Sequence, residues 1–554
     1  MRRAPDLAFA LAMLATGRPA LHRLLRAART PEAAQAKALQ AILRSNADTA
    51  FGSAHRFASI KDADRFRAAV PISDYEGLRP WIDRQIGGEW AVAHGKPLMY
   101  ARTSGTTAEP KRVPVTERSL EAMKRAQRAM AYAQHRACPL FSGKILALGG
   151  AMREETLPDG TPAGSVTGLI YETMPQVVRR KYVVPPEVFA IKDAELKYRV
   201  VTRLALQHGD LTAVSTANPS TLLRLRDCSR AHWSTLVAEI AHGSFAEAGS
   251  LPDDQAAAVR RALFPAPERA RALIDRARHA EPSIADLWPN LAGVVTWTGG
   301  SCALAADAVR RALAPGTMLI EAGYVASELR GTVVVDAAQG LALPVLEDVF
   351  FEFVRADEWD AGRRDTLLLH ELAPGTDYQV IVTTVGGLYR YWINDVLRTG
   401  PAIGATPSLS FVRKGRGVTS ITGEKLTEEQ VNAAMGALAR RFACDVMFHL
   451  MLADEARAHY VAALELDRSA DAAAIAAALE GELRRRNIEY AAKRESRRLQ
   501  PIELRLLRPG AGDAYRRWCV AKGQRDAQFK VLALQYTREC SFDFAPWLLP
   551  PSAS

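Results

Sequence analysis

The stretch Tyr100-Ala-Arg-Thr-Ser-Gly-Thr-Thr-Ala-Glu-Pro-Lys111 is the most informative part of this sequence. Around a single glycine, Gly105, it places four hydroxyl residues: Thr103, Ser104, Thr106 and Thr107. Hydroxyl and backbone N–H groups donate hydrogen bonds to phosphate oxygens, and glycine lets a ligand approach the backbone closely. Lys111 adds a positive charge. The pattern predicts a polyphosphate-binding loop, whereas a polar surface turn is the simpler alternative.

The loop differs from a Walker loop, which has glycine directly before its lysine and a hydroxyl residue directly after it. Here Pro110 precedes Lys111 and Arg112 follows it. Lysine is scarce in this chain, at 14 of 554 residues, so a lysine at the end of such a loop is unexpected by chance. We therefore favour phosphate binding.

A second segment carries residue types suited to a base and a metal ion. In Glu321–Glu328, which lies between two predicted strands, an aromatic residue follows a glycine. The ring of Tyr324 can stack on a base. Ser327 can donate to a phosphate or carboxylate, and Glu328 can bind Mg²⁺ through its hard oxygens. A capped turn with a buried aromatic ring is the alternative.

A third segment, Gly386–Leu397, ends on an acid in an apolar, strand-like context. The carboxylate of Asp395 can accept hydrogen bonds from both hydroxyls of a ribose. The alternative is a buried acid that pairs with Arg390 or Arg398.

In this order, the three segments resemble the motifs of the adenylate-forming superfamily and, within it, the Gretchen Hagen family of acyl acid amido synthetases. Ala326 replaces a serine of the family's Tyr-x-Ser-Ser-Glu. Trp392, Ile393 and Asn394 replace three residues of its Tyr-Arg-Tyr-Arg-Val-Gly-Asp, while Asp395 is retained. Phe66–Glu76 and Phe350–Phe353 also resemble family segments, so the resemblance covers most of the chain.

Helical patterns alternate with short β-branched runs, which is typical of an α/β protein. The resemblance implies a large N-terminal adenylate-forming domain with β-sheets and packed helices, and a smaller, mobile α+β C-terminal domain. We predict residues 1–412 for the adenylation domain, which binds ATP and the acyl acid. The lid domain is predicted over residues 413–554, after a flexible basic connector at Arg413–Gly417.

The resemblance also implies the ligands and their residues. ATP and Mg²⁺ are the expected cofactors, and a carboxylic acid and an amine, of an amino acid, are the expected substrates. The loop residues and Lys111 would bind the phosphates, Tyr324 the adenine, Asp395 the ribose, and Glu328 the Mg²⁺. Ser327 and Arg413 are further nucleotide contacts, with Lys414 and Arg416 as alternatives to Arg413.

A lysine near the C-terminus completes the expected catalytic set. Gly523-Gln-Arg-Asp-Ala-Gln-Phe-Lys530 resembles the family's Gly-x-x-x-x-Gln-Tyr-Lys. In the superfamily, a lysine of the mobile domain contacts the attacked carboxylate and the α-phosphate, which makes Lys530 catalytic together with Lys111 and Glu328. An exposed terminal lysine is the alternative.

Two other functions share parts of this pattern. A ligase that transfers the acyl group to coenzyme A or a carrier thiol uses the same adenylation step. A non-catalytic protein that binds nucleic acid or membranes is the other alternative, because the net charge is +11. The 72 lysines and arginines are scattered among 61 acids, so no nucleic-acid partner is expected.

The acyl-acid pocket is expected at two loops that follow strands, Thr216–Ser220 and Trp297–Ser301. Six widely spaced cysteines without a Cys-x-x-Cys pair favour the cytoplasm. The apolar Leu7–Ala15, after Arg2 and Arg3, imitates a signal peptide, but we interpret it as a buried helix. No apolar run is long enough for stable membrane insertion, and the oligomeric state stays open.

Overall fold

The structure is a computed structural model that describes residues 7–103, 111–277, 281–415, 417–422, 424–495, 497–522, 524, 526 and 529–549. The chain divides into two compact units. The large unit comprises Met1–Trp297, Val309–Ile393 and Leu397–Ser410. The small unit comprises Thr298–Ala308, Asn394–Val396 and Phe411–Ser554.

Several helices begin where the sequence provides a side-chain cap. Asp74, Thr116 and Asp193 each accept a hydrogen bond from the backbone N–H three residues later. The α-helices are α1 (Leu7–Ala12), α2 (Arg18–Ala27), α3 (Pro31–Ser45), α4 (Ala50–Ala54), α5 (Ala63–Ala69), α6 (Tyr75–Ile86), α7 (Glu117–Ala137), α8 (Val166–Glu172), α9 (Gln176–Arg179), α10 (Ala194–Leu206), α11 (Ser220–Ala231), α12 (Trp233–His242), α13 (Asp253–Ala262), α14 (Pro267–Arg276), α15 (Ile284–Leu287), α16 (Ala303–Ala312), α17 (Ala356–Asp360), α18 (Glu428–Arg441), α19 (Ala472–Arg486), α20 (Ile488–Glu495) and α21 (Ala511–Ala521).

The strands follow the β-branched and aromatic runs of the sequence. They are β1 (Met99–Thr103), β2 (Lys111–Val115), β3 (Lys144–Ala147), β4 (Glu155–Thr156), β5 (Pro162–Gly164), β6 (Leu211–Ser215), β7 (Gly293–Thr296), β8 (Met318–Glu321), β9 (Thr332–Asp336), β10 (Leu341–Pro344), β11 (Val349–Arg355), β12 (Leu367–Leu368), β13 (Asp377–Thr384), β14 (Tyr391–Ile403), β15 (Thr406–Lys414), β16 (Val418–Thr419), β17 (Leu426–Thr427), β18 (Val446–Asp454), β19 (His459–Leu466), β20 (Glu503–Leu507) and β21 (Leu534–Tyr536).

A parallel sheet in the order β3-β6-β7-β8 forms one layer of the large unit. Its strands are short and apolar, and β7 is buried along its whole length. Ile145, Ala213, Val295 and Ile320, one from each strand, share one buried cluster. Such continuous apolar runs are typical of parallel strands that are covered on both faces.

The sheet β2-β1-β5-β4 carries the predicted phosphate loop. Strands β1 and β2 pair antiparallel from Met99 opposite Val115 to Thr103 opposite Lys111. Residues 104–110 connect these two strands, so the predicted loop joins the ends of a β-hairpin.

The third large sheet has the order β12-β11-β13-β14-β15. Strand β11 pairs with β13 in continuous register, from Val349 opposite Thr384 to Arg355 opposite Tyr378. Six consecutive residues of β11, from Val349 to Val354, are buried. The strand follows a turn at Leu346–Asp348, in which the Asp348 N–H donates to the Val345 carbonyl at 3.0 Å.

The core of the small unit is the sheet β20-β19-β18-β21. Successive residues of β18 point to opposite faces. Met451 and Ala453 pack with α18 and α19, whereas Leu450 and Leu452 pack with α21. The two buried clusters give this unit a hydrophobic core of its own.

The predicted flexible connector is partly wrong. Arg413 and Lys414 are the last two residues of β15, and the Gly415 N–H still donates to the Asn394 carbonyl at 2.9 Å. Backbone pairing therefore holds the basic residues in a strand. Arg416 lies outside the described residues.

The N-terminal apolar segment forms α1 and packs into the large unit, where Phe9 and Met13 are buried. The segment is helical, as predicted, but only one face of it is buried, because Leu11 is 58% exposed and Leu14 is 48% exposed. Within the described ranges, no helix has both the length and the apolar content that crossing a bilayer requires.

Candidate nucleotide-binding site

Lys111 begins β2 at the foot of the predicted phosphate loop, and two tyrosines fix its ammonium group. Its Nζ lies 3.2 Å from the hydroxyl of Tyr391 and 5.6 Å from the ring centre of Tyr75. The Tyr75 hydroxyl in turn accepts the Arg112 N–H at 2.7 Å. Tyr75 and Tyr391 are buried, so packing holds in place both of the rings that contact the Lys111 ammonium. Sequence reasoning gave neither tyrosine a role.

The loop residues themselves cannot be compared with their predicted roles. Ser104, Gly105, Thr106 and Thr107 lie outside the described residues, and only the backbone of Thr103 is described, at the end of β1.

Two arginines oppose each other at the stem of this loop. Arg102 on β1 pairs across the ladder with Arg112 on β2. Directly opposed like charges destabilise a strand pair. Glu154 lies 3.8 Å from the Arg102 guanidinium, and Glu155 lies 2.8 Å from that of Arg112. These two carboxylates offset the repulsion and tie the hairpin to the strand β4 region.

The second motif forms a tight hairpin in the large unit. Val325 and Arg330 pair antiparallel, and the Ala326 N–H donates to the Leu329 carbonyl at 2.9 Å. Ser327 and Glu328 therefore lie at the tip, with Ser327 buried and Glu328 partly exposed. The segment thus forms a turn, the local structure that the alternative interpretation expected, and its residues remain candidates for nucleotide binding.

Tyr324 lies at the base of this hairpin and is only 5% exposed. Its ring lies against Gly331, where any added Cβ would come within 2.3 Å of the Tyr324 Cδ1. Only glycine leaves room for the ring at this position. Gly331 therefore determines where the tyrosine sits, a role that a sequence without structural context does not reveal.

The third motif begins with a buried ion pair. Arg390 donates to both carboxylate oxygens of Glu352, each at 3.0 Å, and Thr366 donates to the same carboxylate at 2.7 Å. Arg390 and Glu352 are almost fully buried. This ion pair fixes the start of β14 against β11. Tyr391, the next residue after Arg390, contacts Lys111.

Trp392, which replaces a family arginine, contacts a different region from Tyr391. Its ring centre lies 4.7 Å from that of Trp359, and its Nε1 donates to Gln379 at 2.9 Å. Both tryptophans line an open cleft of about 590 Å³ with Arg364, whose guanidinium covers the Trp359 ring at 3.8 Å. The rings and the guanidinium thus stack on one another. These contacts of Trp392 are made with residues other than Tyr391 and Tyr75, which contact Lys111.

Asp395 is buried in β14, as its apolar context predicts. Arg390 and Arg398, the two arginines considered as its structural partners, pair with Glu352 and Asp377. Instead the Lys414 Nζ lies 2.5 Å from the Asp395 Oδ1. Lys414 can reach Asp395 because β14 and β15 are neighbouring strands. The Asp395 carboxylate is thus held by a lysine within the small unit.

Arg413, Glu428 and Lys530 form the second charged group of the small unit. The Arg413 guanidinium donates to the carbonyl of Lys414 at 3.2 Å. Glu428 is the first residue of α18 and is 4% exposed. Its Oε1 accepts the Ala533 N–H at 2.7 Å, and its backbone N–H donates to the Gly417 carbonyl at 2.7 Å.

Glu428 therefore connects the start of α18 to the two segments that carry Arg413 and Lys530. Burial raises the pKa of its carboxyl to about 7, against the opposing effects of the Ala533 hydrogen bond and of the Lys530 and Arg413 charges. The Lys530 ammonium lies 4.7 Å from the ring centre of Phe411. Sequence reasoning missed Glu428, because its burial and its contacts with distant segments are visible only in the folded structure.

The two predicted acyl-acid loops begin at the carboxyl ends of the neighbouring strands β6 and β7. The Thr216 N–H donates to the Val295 carbonyl at 3.0 Å, and the Trp297 N–H donates to the Ala217 carbonyl at 3.1 Å. The beginnings of both loops thus adjoin within the large unit, as expected for neighbouring parallel strands. The remainder of the second loop, from Thr298 on, belongs to the small unit.

The described residues contain no group of three or more His, Cys, Asp or Glu side chains able to hold a metal ion. A single carboxylate such as Glu328 suits Mg²⁺, which retains several waters and shares phosphate ligands. The donor chemistry of the Ser327–Glu328 tip therefore fits such an ion.

Comparison with known proteins identifies the family. Three family models match in chain order: the GH3 family N-terminal domain at residues 20–318, the central domain at 342–414 and the C-terminal domain at 429–539. The first alone covers more than half of the 554 residues.

Relatives match over most of their length. The indole-3-acetic acid-amido synthetase GH3.8 of Oryza sativa subsp. indica is 26% identical over 90% of this chain and 87% of its own. The jasmonoyl–L-amino acid synthetase JAR6 of Nicotiana attenuata is 25% identical over 74% of this chain and 73% of its own.

Among solved structures, the GH3.15 acyl acid amido synthetase superposes with a TM-score of 0.79, at 22% identity, over 91% of this chain and 92% of its own. This likeness confirms the predicted α/β fold with a large N-terminal and a smaller C-terminal domain. The chain belongs to the GH3 family, the Gretchen Hagen family of acyl acid amido synthetases.

Proposed function

We propose that the protein is an ATP-dependent ligase that adenylates a carboxylic acid and transfers the acyl group to the amine of an amino acid. The observation that carries this proposal is the position of Lys111. Its ammonium, fixed by Tyr391 and Tyr75, stands at the foot of a loop rich in hydroxyl groups and built around glycine. Family membership supplies the reaction class.

The reaction proceeds in two balanced steps. In the first, a carboxylate oxygen attacks the α-phosphate of ATP, the bond between the α- and β-phosphates breaks, and pyrophosphate leaves. In the second, the amine nitrogen attacks the acyl carbon, AMP leaves and the nitrogen loses a proton. Both steps depend on positioning and on neutralising charge, so they require no protein nucleophile.

Each predicted residue has a place in this scheme. Thr103, Ser104, Gly105, Thr106, Thr107 and Lys111 bind the β- and γ-phosphates. Tyr324 contacts the adenine, and Ser327 contacts the α-phosphate or the attacked carboxylate. Asp395 binds the ribose hydroxyls, with its charge held by Lys414. Arg413 is a further nucleotide contact.

Lys530 stabilises the negative charge that develops on the α-phosphate during the first step. Its support in the small unit is Glu428, which holds the Ala533 N–H three residues further along the chain. Glu328 holds Mg²⁺, which supplies further positive charge to the phosphates when it is bound. The tip of a short hairpin gives this carboxylate a defined position.

We assign residues 1–412 to adenylation and residues 413–554 to a mobile lid. Two features support the lid. The small unit has a hydrophobic core of its own, and Gly417, with φ of 109°, follows the strand that carries Arg413. In other enzymes, the changes in φ and ψ during a lid motion occur in a few residues in loops or at the ends of helices and strands.

The matched relatives suggest the substrates. They conjugate indole-3-acetic acid or jasmonic acid, both carboxylic acids, and the second of them is named for an L-amino acid acceptor. We propose the same pair of substrate classes here. The six cysteines are free thiols, which supports a cytoplasmic enzyme.

The rival reaction is transfer to coenzyme A or a carrier thiol. The two reactions are distinguished by AMP release from purified enzyme supplied with ATP and a panel of carboxylic acids. We expect an amino acid mixture to accelerate AMP release and coenzyme A to have no effect. Acceleration by coenzyme A alone would assign the protein to thioester formation.

A further inference from the structure

The open cleft of about 590 Å³ in the large unit is lined by residues that have no part in the proposed reaction. Its volume lies within the range of small-molecule sites, which is about 300–1,000 Å³. Trp359, Arg364 and Trp392 line one part of it, and Ser73 and Asp74, at the start of α6, line another. Both tryptophans are partly exposed, so a ligand in the cleft can reach their rings.

Backbone hydrogen bonds fix the two parts of the cleft to each other. The Ser73 N–H donates to the Arg390 carbonyl at 3.1 Å, and the Trp392 N–H donates to the Ser73 carbonyl at 2.8 Å. The Trp392 indole is oriented by its hydrogen bond to Gln379, and its ring packs on Trp359. The aromatic surface is therefore formed before a ligand binds, which reduces the entropy lost on binding.

Asp74 and Arg364 bring opposite charges to this cleft. One oxygen of Asp74 accepts the Gly77 N–H at 3.1 Å and so caps α6. The Arg364 Nη1 donates to the carbonyls of Trp359 and Arg363, while the guanidinium covers the Trp359 ring. Within the part of the chain that the structure describes, no ion pair joins Asp74 or Arg364 to another residue. The second oxygen of Asp74 and the other N–H groups of Arg364 are thus available to a ligand.

The cleft and the surroundings of Lys111 lie on opposite faces of β14. Tyr391 contacts Lys111, and Trp392, the next residue, lines the cleft. Successive residues of a strand point to opposite faces, so the strand separates a ligand on Trp392 from Lys111. A ligand in the cleft is therefore not one of the reacting groups around Lys111.

We propose that this cleft binds a free aromatic amino acid, at a site separate from the one at which an amino acid accepts the acyl group. The ring of the ligand stacks on the tryptophan pair. Its carboxylate accepts hydrogen bonds from Arg364, and its ammonium donates to Asp74. The proposal goes beyond the proposed function, because it concerns a ligand that takes no part in the reaction.

Charge complementarity selects this class of ligand. A simple aromatic acid brings a second negative charge close to Asp74, and a simple aromatic amine brings a second positive charge close to Arg364. A zwitterion offers the opposite charge to both groups. An aliphatic amino acid satisfies the charges but leaves the indole rings uncovered, and stacking on an aromatic side chain increases affinity about five- to 150-fold.

Isothermal titration calorimetry without ATP tests the proposal, with L-phenylalanine, L-phenylalaninamide and L-alanine as the ligands. We expect L-phenylalanine to bind the wild type with a Kd of about 1 mM or below. The amide lacks the negative charge and alanine lacks the ring. Each should therefore bind at least about fivefold more weakly than L-phenylalanine.

Three variants assign the binding to the cleft. Trp392→Ala should raise the Kd for L-phenylalanine at least about fivefold, and Asp74→Asn and Arg364→Met should each raise it at least about threefold. Asparagine still caps α6 and Arg364 is exposed, so these two variants provide the test if Trp392→Ala does not fold. Arg364→Met should also remove the preference for L-phenylalanine over its amide. Arg363→Met, at a side chain that is 66% exposed, is the matched control and should bind as the wild type does.

Absence of L-phenylalanine binding up to about 10 mM would overturn the inference. An unchanged Kd in all three variants would also overturn it, because the amino acid would then occupy another site, such as that of the acceptor. The proposed function is tested separately by acid-dependent ATP–pyrophosphate exchange, which requires no amino acid. Exchange should persist in all three variants, and its loss in Arg364→Met would contradict the separation of the cleft from the reacting groups. Absence of exchange in the wild type would overturn the proposed function and leave this inference standing.

Discussion

At the scale of single residues, three of the 14 lysines occupy the positions assigned to ATP chemistry. Lys111 stands on Tyr391, Lys414 pairs with Asp395, and Lys530 lies over Phe411. Each ammonium group is oriented by an aromatic ring or a carboxylate. A lysine ammonium is a compact point charge that can neutralise one phosphate oxygen, whereas an arginine presents several donors in a rigid plane.

The catalytic role of Lys530 can be tested by substituting this residue alone. We expect Lys530→Ala to lower the rate of acid-dependent ATP–pyrophosphate exchange about hundredfold, because a positioned charge stabilises the transition state more than the ground state. The KM for ATP should change little. Lys522→Ala is the matched control, since Lys522 is exposed and donates to Ser541. Exchange that survives in Lys530→Ala would remove this residue from the catalytic set.

The buried Glu428 gives the stability of the protein a particular pH dependence. Its folded-state pKa of about 7 lies above the ordinary 4.5, so the folded protein favours the protonated carboxyl. This contribution is fully present below about pH 4.5 and is lost as the pH rises through about 7. Relative to the wild type, Glu428→Gln should therefore gain stability with rising pH, by up to about 3 kcal/mol.

Urea unfolding of both proteins at about pH 5 and about pH 8 measures this difference. Glu429→Gln, at the neighbouring exposed position, is the control and should show no such trend. A stability difference between Glu428→Gln and wild type that stays constant with pH would show that the carboxyl titrates normally.

At the scale of elements, the turn between β13 and β14 determines where the third motif begins. Gly387 has φ of 102°, and an added Cβ would lie 2.8 Å from the Cβ and the carbonyl oxygen of Val92. Three residues later, Arg390 pairs with Glu352, and Tyr391 then meets Lys111. The turn is thus constrained by both its backbone conformation and its packing.

We expect Gly387→Ala to destabilise the protein by about 2–4 kcal/mol, since backbone strain and a steric clash combine. Gly362→Ala separates the two effects, because Gly362 also has positive φ, at 85°, but no atom within 4 Å of an added Cβ. Midpoints of urea unfolding compare the variants. Equal losses in both would show that packing against Val92 contributes nothing.

The fold class was predictable from the sequence because the hydrophobic periods of helices and strands are local signals. The structure has the predicted α/β fold, in which helices alternate with short strands along the chain. Pairing between distant segments depends on strand register, which a single sequence does not reveal. For this reason Asp395 was matched with nearby arginines, whereas its partner Lys414 lies on the next strand.

The same limit applies to the candidate site. Motifs identified Lys111, Tyr324 and Asp395 as residue types suited to a nucleotide. They could not reveal that Tyr391 and Tyr75 fix Lys111, or that Gly331 makes room for the Tyr324 ring. Those residues act through spatial contacts, and nothing in their own chemistry indicates a ligand.

At the scale of the whole molecule, the net charge is +11, yet many of the basic side chains pair with acidic ones. The densest basic run, Arg484–Arg486, lies on α19, where Glu480 and Glu482 pair with its arginines. Lys493 and Arg494 on α20 pair with Glu489 and Glu480. Glutamates on the same helices thus pair with the basic side chains of both runs.

Binding to polyanions should consequently be weak. We expect the Kd for a fluorescently labelled DNA duplex to exceed about 10 µM near physiological salt. Such a Kd is typical of non-specific binding or weaker. Fluorescence anisotropy over a series of salt concentrations measures this. Tight binding with a steep salt dependence, without ATP turnover, would favour the non-catalytic alternative.

The measurement that tests the central claim most directly is ATP–pyrophosphate exchange by the wild type and by Lys111→Ala, with and without a panel of carboxylic acids. We expect the wild type to exchange label only when an acid is present, and Lys111→Ala to lose about hundredfold or more of that activity. Lys96→Ala, at a side chain that is 62% exposed, should match the wild type. Exchange that needs no acid, or that persists in Lys111→Ala, would contradict the account.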